Sequence, residues 1–220
     1  MRLGSADAED RVALVEILNH SAFSGLAYLE PFVGGANVLR RVCNKPSYSA
    51  SDINEQMIEY LTNIGSGNSA LALSGHSSRA RSCTDRRTIA LSFNAFRGAS
   101  TGDTAALHSH LDELLHNPTI RRTEFHVRDY RDLVPWNKLV FCHPPLHKTG
   151  ARFHTAEFWQ LMRAWSRDNV VLIQAARAPS DFERLPCADD RDHEACHVTT
   201  SDVFAHSTLI PFLQLLQWQV

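Results

Sequence analysis

The chain lacks any apolar run of the roughly 18–20 residues that a membrane-spanning helix requires, so no membrane association is expected. Met1 to Arg11 lacks the apolar stretch of a secretory signal. Cysteine is scarce: there are five (Cys43, Cys83, Cys142, Cys187 and Cys196), odd in number and widely scattered. That usage fits a reducing intracellular compartment rather than a disulfide scaffold. Internal repeats are missing. So is a positive balance: the formal net charge is −2, whereas duplex-DNA binders normally present a basic face. Support for DNA binding must therefore come from local clusters. The twelve histidines contain no His-Glu-x-x-His arrangement. Cys187, His193, Cys196 and His197 match no common zinc spacing, and adjacent residues on a strand point to opposite faces. No metal is expected.

What is present is enough for one α/β domain with an insertion. The chain has 220 residues, of which 44% are hydrophobic and 21% charged, which excludes global disorder. Asp7 to His20 carries Val12, Val15, Ile17 and Leu18 at near-helical spacing. Leu26 to Phe32 reads as a buried strand entering a glycine turn, and Ala36 to Cys43 as a helix. Tyr48 to Ser51 is a short strand ending at Asp52, followed by a helix from Asn54 to Ile64.

Composition shifts at Gly65. Residues 65–85 are rich in Ser, Gly and Arg, the mark of an inserted loop region. Helical periodicity returns from Thr104 to His116, ended by Asn117-Pro118. Phe125 to Val127 and Lys138 to Cys142 read as strands, the latter making Cys142 a core residue rather than a nucleophile. Thr155 to Arg167 is an amphipathic helix packed through Trp159 and Trp165. Val170 to Ile173 is a continuous apolar run, the pattern of a buried parallel strand. Residues 194–200 and 208–218 read as a closing hairpin. Strands alternating with helices indicate a doubly wound α/β sheet.

Three sites stand out. Glu30-Pro31-Phe32-Val33-Gly34-Gly35-Ala36 lies at a strand-to-helix turn. Glycines there let the backbone approach a nucleoside closely. Asp52 follows at the tip of the next strand, about where an acid accepts hydrogen bonds from a ribose diol. Asp52 also fits a helix N-cap. The third site is Phe141-Cys142-His143-Pro144-Pro145-Leu146, at the end of a later strand.

Together these segments resemble the Dam-like DNA adenine methyltransferases, especially their short phage and viral forms. That family carries Glu-Pro-Phe-(Val/Gly)-Gly-Gly-Gly, Asp-Ile-Asn, an Asp-Tyr or Asp-Phe pair, and Asp-Pro-Pro-Tyr, in this order. Here stand Glu30 to Ala36, Asp52-Ile53-Asn54, Asp129-Tyr130, and His143-Pro144-Pro145-Leu146. Glu157-Phe158-Trp159 and Ala178 to Glu183 are also similar to the phage-type members. The resemblance covers roughly 12–64 and 124–218. It implies a class I S-adenosylmethionine (SAM) methyltransferase fold, mostly parallel with an antiparallel C-terminal hairpin. Residues 1–64 and 124–220 would form the Rossmann-like domain, and 65–123 a small inserted target-recognition segment. It further implies a cofactor site at Glu30, Phe32, Gly34, Gly35 and Asp52, and a target-base site at Asp129 and Tyr130. DNA contacts would come from Arg79, Arg81, Arg86, Arg87 and Arg97. The other reading of those arginines is a solvated or partner-binding basic loop.

The departures fall on the chemistry. In the family the motif's acid and a backbone carbonyl accept the two hydrogens of the adenine amino group, and the motif's aromatic residue stacks on the flipped base. His143 replaces the acid: a neutral imidazole offers one acceptor nitrogen, a protonated one none. Leu146 replaces the aromatic and forfeits about 1–3 kcal/mol of stacking. The family's third turn glycine is Ala36, and the opening Gly-Gly-Lys motif is absent from Arg2 to Asp7. The expectation is a methyltransferase homologue that has lost catalysis and serves in binding or assembly, in a viral setting such as a host nucleus or virion, with DNA or protein partners. Two other readings remain open: an active enzyme using His143 as acceptor, and a scaffold subunit that binds neither SAM nor DNA.

Overall fold

The computed structural model describes residues 14–67, 112–144, 155–185 and 202–209. Its frame is a seven-stranded sheet. The strands are β1 (Ala27–Glu30), β2 (Tyr48–Asp52), β3 (Thr123–Val127), β4 (Lys138–Cys142), β5 (Val170–Ala175), β6 (Phe182–Arg184) and β7 (Asp202–His206). Their order is β3-β2-β1-β4-β5-β7-β6. The first five are mutually parallel. β7 slots between β5 and β6, antiparallel to both. This is the doubly wound, mostly parallel sheet with an antiparallel end that the sequence predicts.

The central strands are apolar at successive positions because both faces of the sheet are covered. In β4, Leu139 and Phe141 enter one core while Val140 and Cys142 enter the other. In β5, Leu172 faces the first core, and Val171 and Ile173 the second. The first face is packed by helix α1, described over 14–19, by α2 (Glu55–Gly65), by α3, described over 112–116, and by α4 (Pro118–Arg121). Met57, Ile58, Leu61 and Ile64 place four apolar side chains of α2 on that core at helical spacing. The second face is packed by α5 (Thr155–Trp165) through Phe158, Trp159, Met162 and Trp165. Among the described residues, no helix is long and apolar enough to cross a membrane.

Two elements differ from the sequence expectation. Residues 36–43 do not form a helix. Ala36 sits at φ 57, and only Leu39–Arg41 makes a 3-10 turn. The spacing of Val38, Leu39 and Val42 imitates a helical stripe, but all three are buried around an irregular turn. At the antiparallel end the described pair is β6 with β7, whereas the sequence expectation is a hairpin of 194–200 with 208–218. Residues 194–200 and 210–218 lie outside the described residues, and Ser207–Leu209 is a 3-10 turn. Asn117 does end α3, and it also starts α4. Its side chain accepts from the amides of Thr119 at 3.0 Å and Ile120 at 3.1 Å.

The entry to β4 hangs on one side chain. Buried Asn169 accepts from the Lys138 amide at 3.0 Å. It donates to the carbonyls of Pro135 at 3.0 Å and Trp165 at 2.9 Å. Removing it strands a buried donor and acceptor, each carrying a desolvation penalty. Asn169→Ala should therefore cost about 3 kcal/mol in urea unfolding. A loss near zero would show that the backbone finds other partners.

Candidate functional site

Strand order reverses between β1 and β4, because the chain leaves β1 toward β2 and returns to β4 on the other side. Open α/β sheets bind ligands outside the carboxyl ends of the strands at such a point. There, at the ends of β1, β2, β3 and β4, lie the described residues of the Glu30–Ala36, Asp52–Asn54, Asp129–Tyr130 and His143–Pro144 motifs.

The turn after β1 is held against β2 by its backbone. The Val33 amide donates to the Ser51 carbonyl at 3.1 Å. The Gly34 amide donates to Asp52 Oδ2 at 3.1 Å, while Asp52 Oδ1 accepts from the Asn54 amide at 3.0 Å. One carboxylate thus joins two loops. Asn54, not Asp52, caps α2, accepting from the Met57 amide at 3.2 Å. Gly34 has φ 45 and Ala36 φ 57. Ala36 stands where the resembling family has its third glycine, and it takes the left-handed backbone a glycine would take most readily. Its methyl is fully buried. The turn therefore survives the substitution, at a conformational cost of about 1–2 kcal/mol.

Glu30 lies beneath this turn and is buried, at 3% exposure. The Tyr28 hydroxyl donates to its Oε2 at 2.8 Å, and the Leu39 amide also bonds the carboxyl. Burial pushes the Glu30 carboxyl up to about 8 despite both bonds. Its contacts tie the 3-10 turn to β1. Gly35 is buried in the same turn. Phe32 packs its ring 5.0 Å from that of Tyr130 and 6.0 Å from that of Phe158.

Asp129 and Tyr130 separate in role. Tyr130 is buried against Phe32 and Phe158 and closes the floor under the first loop. Asp129 is engaged by its neighbour. Arg131 donates to it from Nε at 3.0 Å, from a terminal guanidinium nitrogen at 2.7 Å and from its amide at 2.9 Å. These bonds hold the Asp129 carboxyl below the usual carboxylate range.

At the end of β4, Cys142 is buried with its Sγ 3.6 Å from Met162 Sδ, and burial pushes its thiol up. It is core, as the sequence indicates. His143 is exposed and Pro144 buried. Pro145 and Leu146 lie outside the described residues, as do Arg79, Arg81, Arg86, Arg87 and Arg97 and the residues 2–7. The Cys187, His193, Cys196 and His197 set lies outside them too. Among the described residues no cluster of three or more His, Cys, Asp or Glu could hold a metal ion.

Sequence reasoning passed over Ile53 and Val127. Ile53 is 70% exposed and Val127 53%, and strand register sets Asp52 beside Val127. Two apolar side chains therefore stand in water next to the acid of the cleft. The available signal was an isoleucine between an acid and a helix cap, outside any strand or helix period. Their surface suits one face of a base. Asp52 uses one lone pair on each oxygen for Gly34 and Asn54, which leaves further acceptor capacity for a diol.

The sheet order and the placement of these loops define a class I methyltransferase-type α/β fold. No family model matches the chain, and no curated protein sequence matches it. Among solved structures, two of the rRNA methyltransferase aviRa from Streptomyces viridochromogenes are similar at 14% identity. One covers 94% of this chain and 87% of that chain with a TM-score of 0.43. The other covers 88% and 83% with a TM-score of 0.40. An rRNA methylase from Streptococcus thermophilus is 11% identical, covering 93% of this chain and 97% of that chain, with a TM-score of 0.37.

The Glu30 carboxyl gives the site a pH signature. Its folded value of about 8 lies above the 4.5 of an ordinary glutamate, so the native state binds more protons than the unfolded chain between the two. The stability that this group contributes is then full below about 4.5 and falls as pH rises toward about 8. Glu30→Gln should flatten that decline in denaturant midpoints measured across the range. An unchanged slope in the variant would assign the decline to other groups.

Proposed function

We propose that this chain is a SAM-methyltransferase homologue of the adenine-N6 DNA type that has kept the nucleoside end of its cleft and lost methyl transfer. One observation carries the reading. At the carboxyl end of β4, where the resembling enzymes place an acid, an exposed His143 follows the buried Cys142. The adenine amino nitrogen is a poor nucleophile because its lone pair is delocalised into the ring. Two fixed acceptors are needed to localise it, and such positioning and electrostatics supply most of the rate enhancement. An imidazole supplies one acceptor at most, and its protonated form sets positive charge beside a sulfonium.

The cofactor end fares better. The left-handed turn persists at Ala36, Asp52 holds it closed, and Ile53 with Val127 offers an apolar surface beside the acid. SAM is the cofactor these groups fit: Asp52 would take the ribose diol, Ile53 the adenine face and the Gly34–Gly35 turn the backbone approach. Bound SAM would supply the methyl sulfonium. On this reading Arg79, Arg81, Arg86, Arg87 and Arg97 belong to a reduced recognition segment and contact phosphate or a protein partner in a larger, virus-associated assembly. The paired Asp129 supports the same reading, since Arg131 already occupies the acid assigned to the target base.

Calorimetric titration with S-adenosylhomocysteine tests the cofactor half. Saturable heat is expected from the wild-type chain. Asp52→Ala should weaken it at least about tenfold, the loss of one charge-assisted hydrogen bond. Ile53→Ala, at a surface position that leaves the core intact, should weaken it severalfold. Absence of heat at millimolar ligand would overturn the cofactor half and leave a scaffold subunit.

A further inference from the structure

β3 is the outermost strand of the sheet on its side, and among the described residues nothing pairs with its outer edge. The edge has a defined polarity. The Arg128 amide donates inward to the Asp52 carbonyl at 3.1 Å. Because successive residues of a strand turn their N–H and C=O groups to alternate sides, His126 and Glu124 also turn theirs toward β2. Thr123, Phe125 and Val127 turn theirs outward. Five residues thus present three outward donor–acceptor pairs, an edge that proteins usually cover or pair.

The side chains have their own order. Glu124 and His126 share one face, with His126 Nε2 3.9 Å from Glu124 Oε2. Their side chains are 81% and 43% exposed. Phe125 lies on the opposite face, packed against the α2 core. Val127 is more than half exposed at the end of the strand. No proline interrupts the edge and no lysine occupies it.

We propose that β3 pairs antiparallel with β3 of a second copy of this chain, on a twofold axis at Phe125. That register sets Phe125 against Phe125 of the partner subunit, and Thr123 against Val127 of the partner subunit at each end. All three outward residues then exchange both backbone hydrogen bonds with an opposing outward residue. The intervening pairs set Glu124 against His126 of the partner subunit, and His126 against Glu124 of the partner subunit. These are the non-hydrogen-bonded positions, where side chains approach most closely. Acid meets imidazole twice, and each Val127 gains a neighbour. Shifting the register by two residues toward the amino end opposes two glutamates. Shifting it as far the other way opposes two histidines and shortens the ladder. Arg122 does not oppose the pairing, because its guanidinium is drawn inward over the Tyr48 ring at 5.5 Å and toward the Lys45 carbonyl.

Sedimentation of the whole chain across a concentration series, together with amide hydrogen exchange, tests the pairing. A monomer–dimer equilibrium is expected. Exchange at Thr123, Phe125 and Val127 should slow as dimer forms, while Glu124, His126 and Arg128 amides stay protected throughout as a measure of folding. Glu124→Lys puts a donor-only ammonium opposite each imidazole in place of the carboxylate acceptor and should raise the dissociation constant about tenfold. Adding His126→Glu to it sets lysine against glutamate at both positions and should recover the dimer. A chain that remains monomeric at high concentration overturns the proposal. So does a dimer indifferent to Glu124→Lys, or protection of Thr123, Phe125 and Val127 that does not change with concentration.

Discussion

The carboxylate of Asp52 is the contact on which the carboxyl end of the sheet depends. It takes the Gly34 amide on one oxygen and the Asn54 amide on the other. The turn after β1 and the start of α2 are thereby set relative to each other by a single residue at the tip of β2. Each bond is charge-assisted and about twice as strong as a neutral one. The neighbouring Val33–Ser51 backbone bond continues the same seam. Without the acid, two loop amides would lose their acceptor, and the left-handed backbone at Gly34 and Ala36 would lose its nearest restraint. The acid that the sequence suggests for a ribose is thus first a structural clamp. Its unused lone pairs are what it can offer a ligand.

Around this clamp the two cores divide the labour. The α2 face buries Glu30 and Tyr28 under the first loop. The α5 face fills the floor with Phe32, Tyr130 and Phe158, whose rings meet edge to face or tilted. Aromatic pairs of this kind add about 0.5–1.5 kcal/mol each beyond their burial. The same packing that stabilises the loop removes Tyr130 from the solvent side of the cleft. It leaves Ile53 and Val127 as the apolar groups in the open.

The sheet was legible because its signals are long or alternate strongly. β4 and β5 are continuous apolar runs, and the Glu30–Ala36, Asp52–Asn54 and Asp129–Tyr130 segments fall at strand ends, as their spacing indicates. The segment 36–43 was misread because Val38, Leu39 and Val42 mimic a helical stripe, whereas a left-handed alanine is invisible to periodicity. β6 is only three residues long with one buried side chain, too little for any period to reveal it. In the site, pairings between near neighbours escaped notice. Nothing in an Asp-Tyr-Arg string shows that Arg131 will fold back on Asp129, and the exposure of Ile53 is marked only by its place between an acid and a helix cap.

The chemistry turns on one position. On the proposed reading, His143 follows β4 at the place where an adenine amino group would be stripped of its delocalisation, and its side chain cannot accept both hydrogens. The direct measurement is single-turnover transfer of a labelled methyl group from SAM to adenine-containing duplex DNA. No incorporation is expected from the wild-type chain over hours, and measurable incorporation is expected once His143→Asp and Leu146→Tyr are combined. Incorporation by the wild-type chain that disappears in His143→Ala would contradict the account and make the histidine a working acceptor.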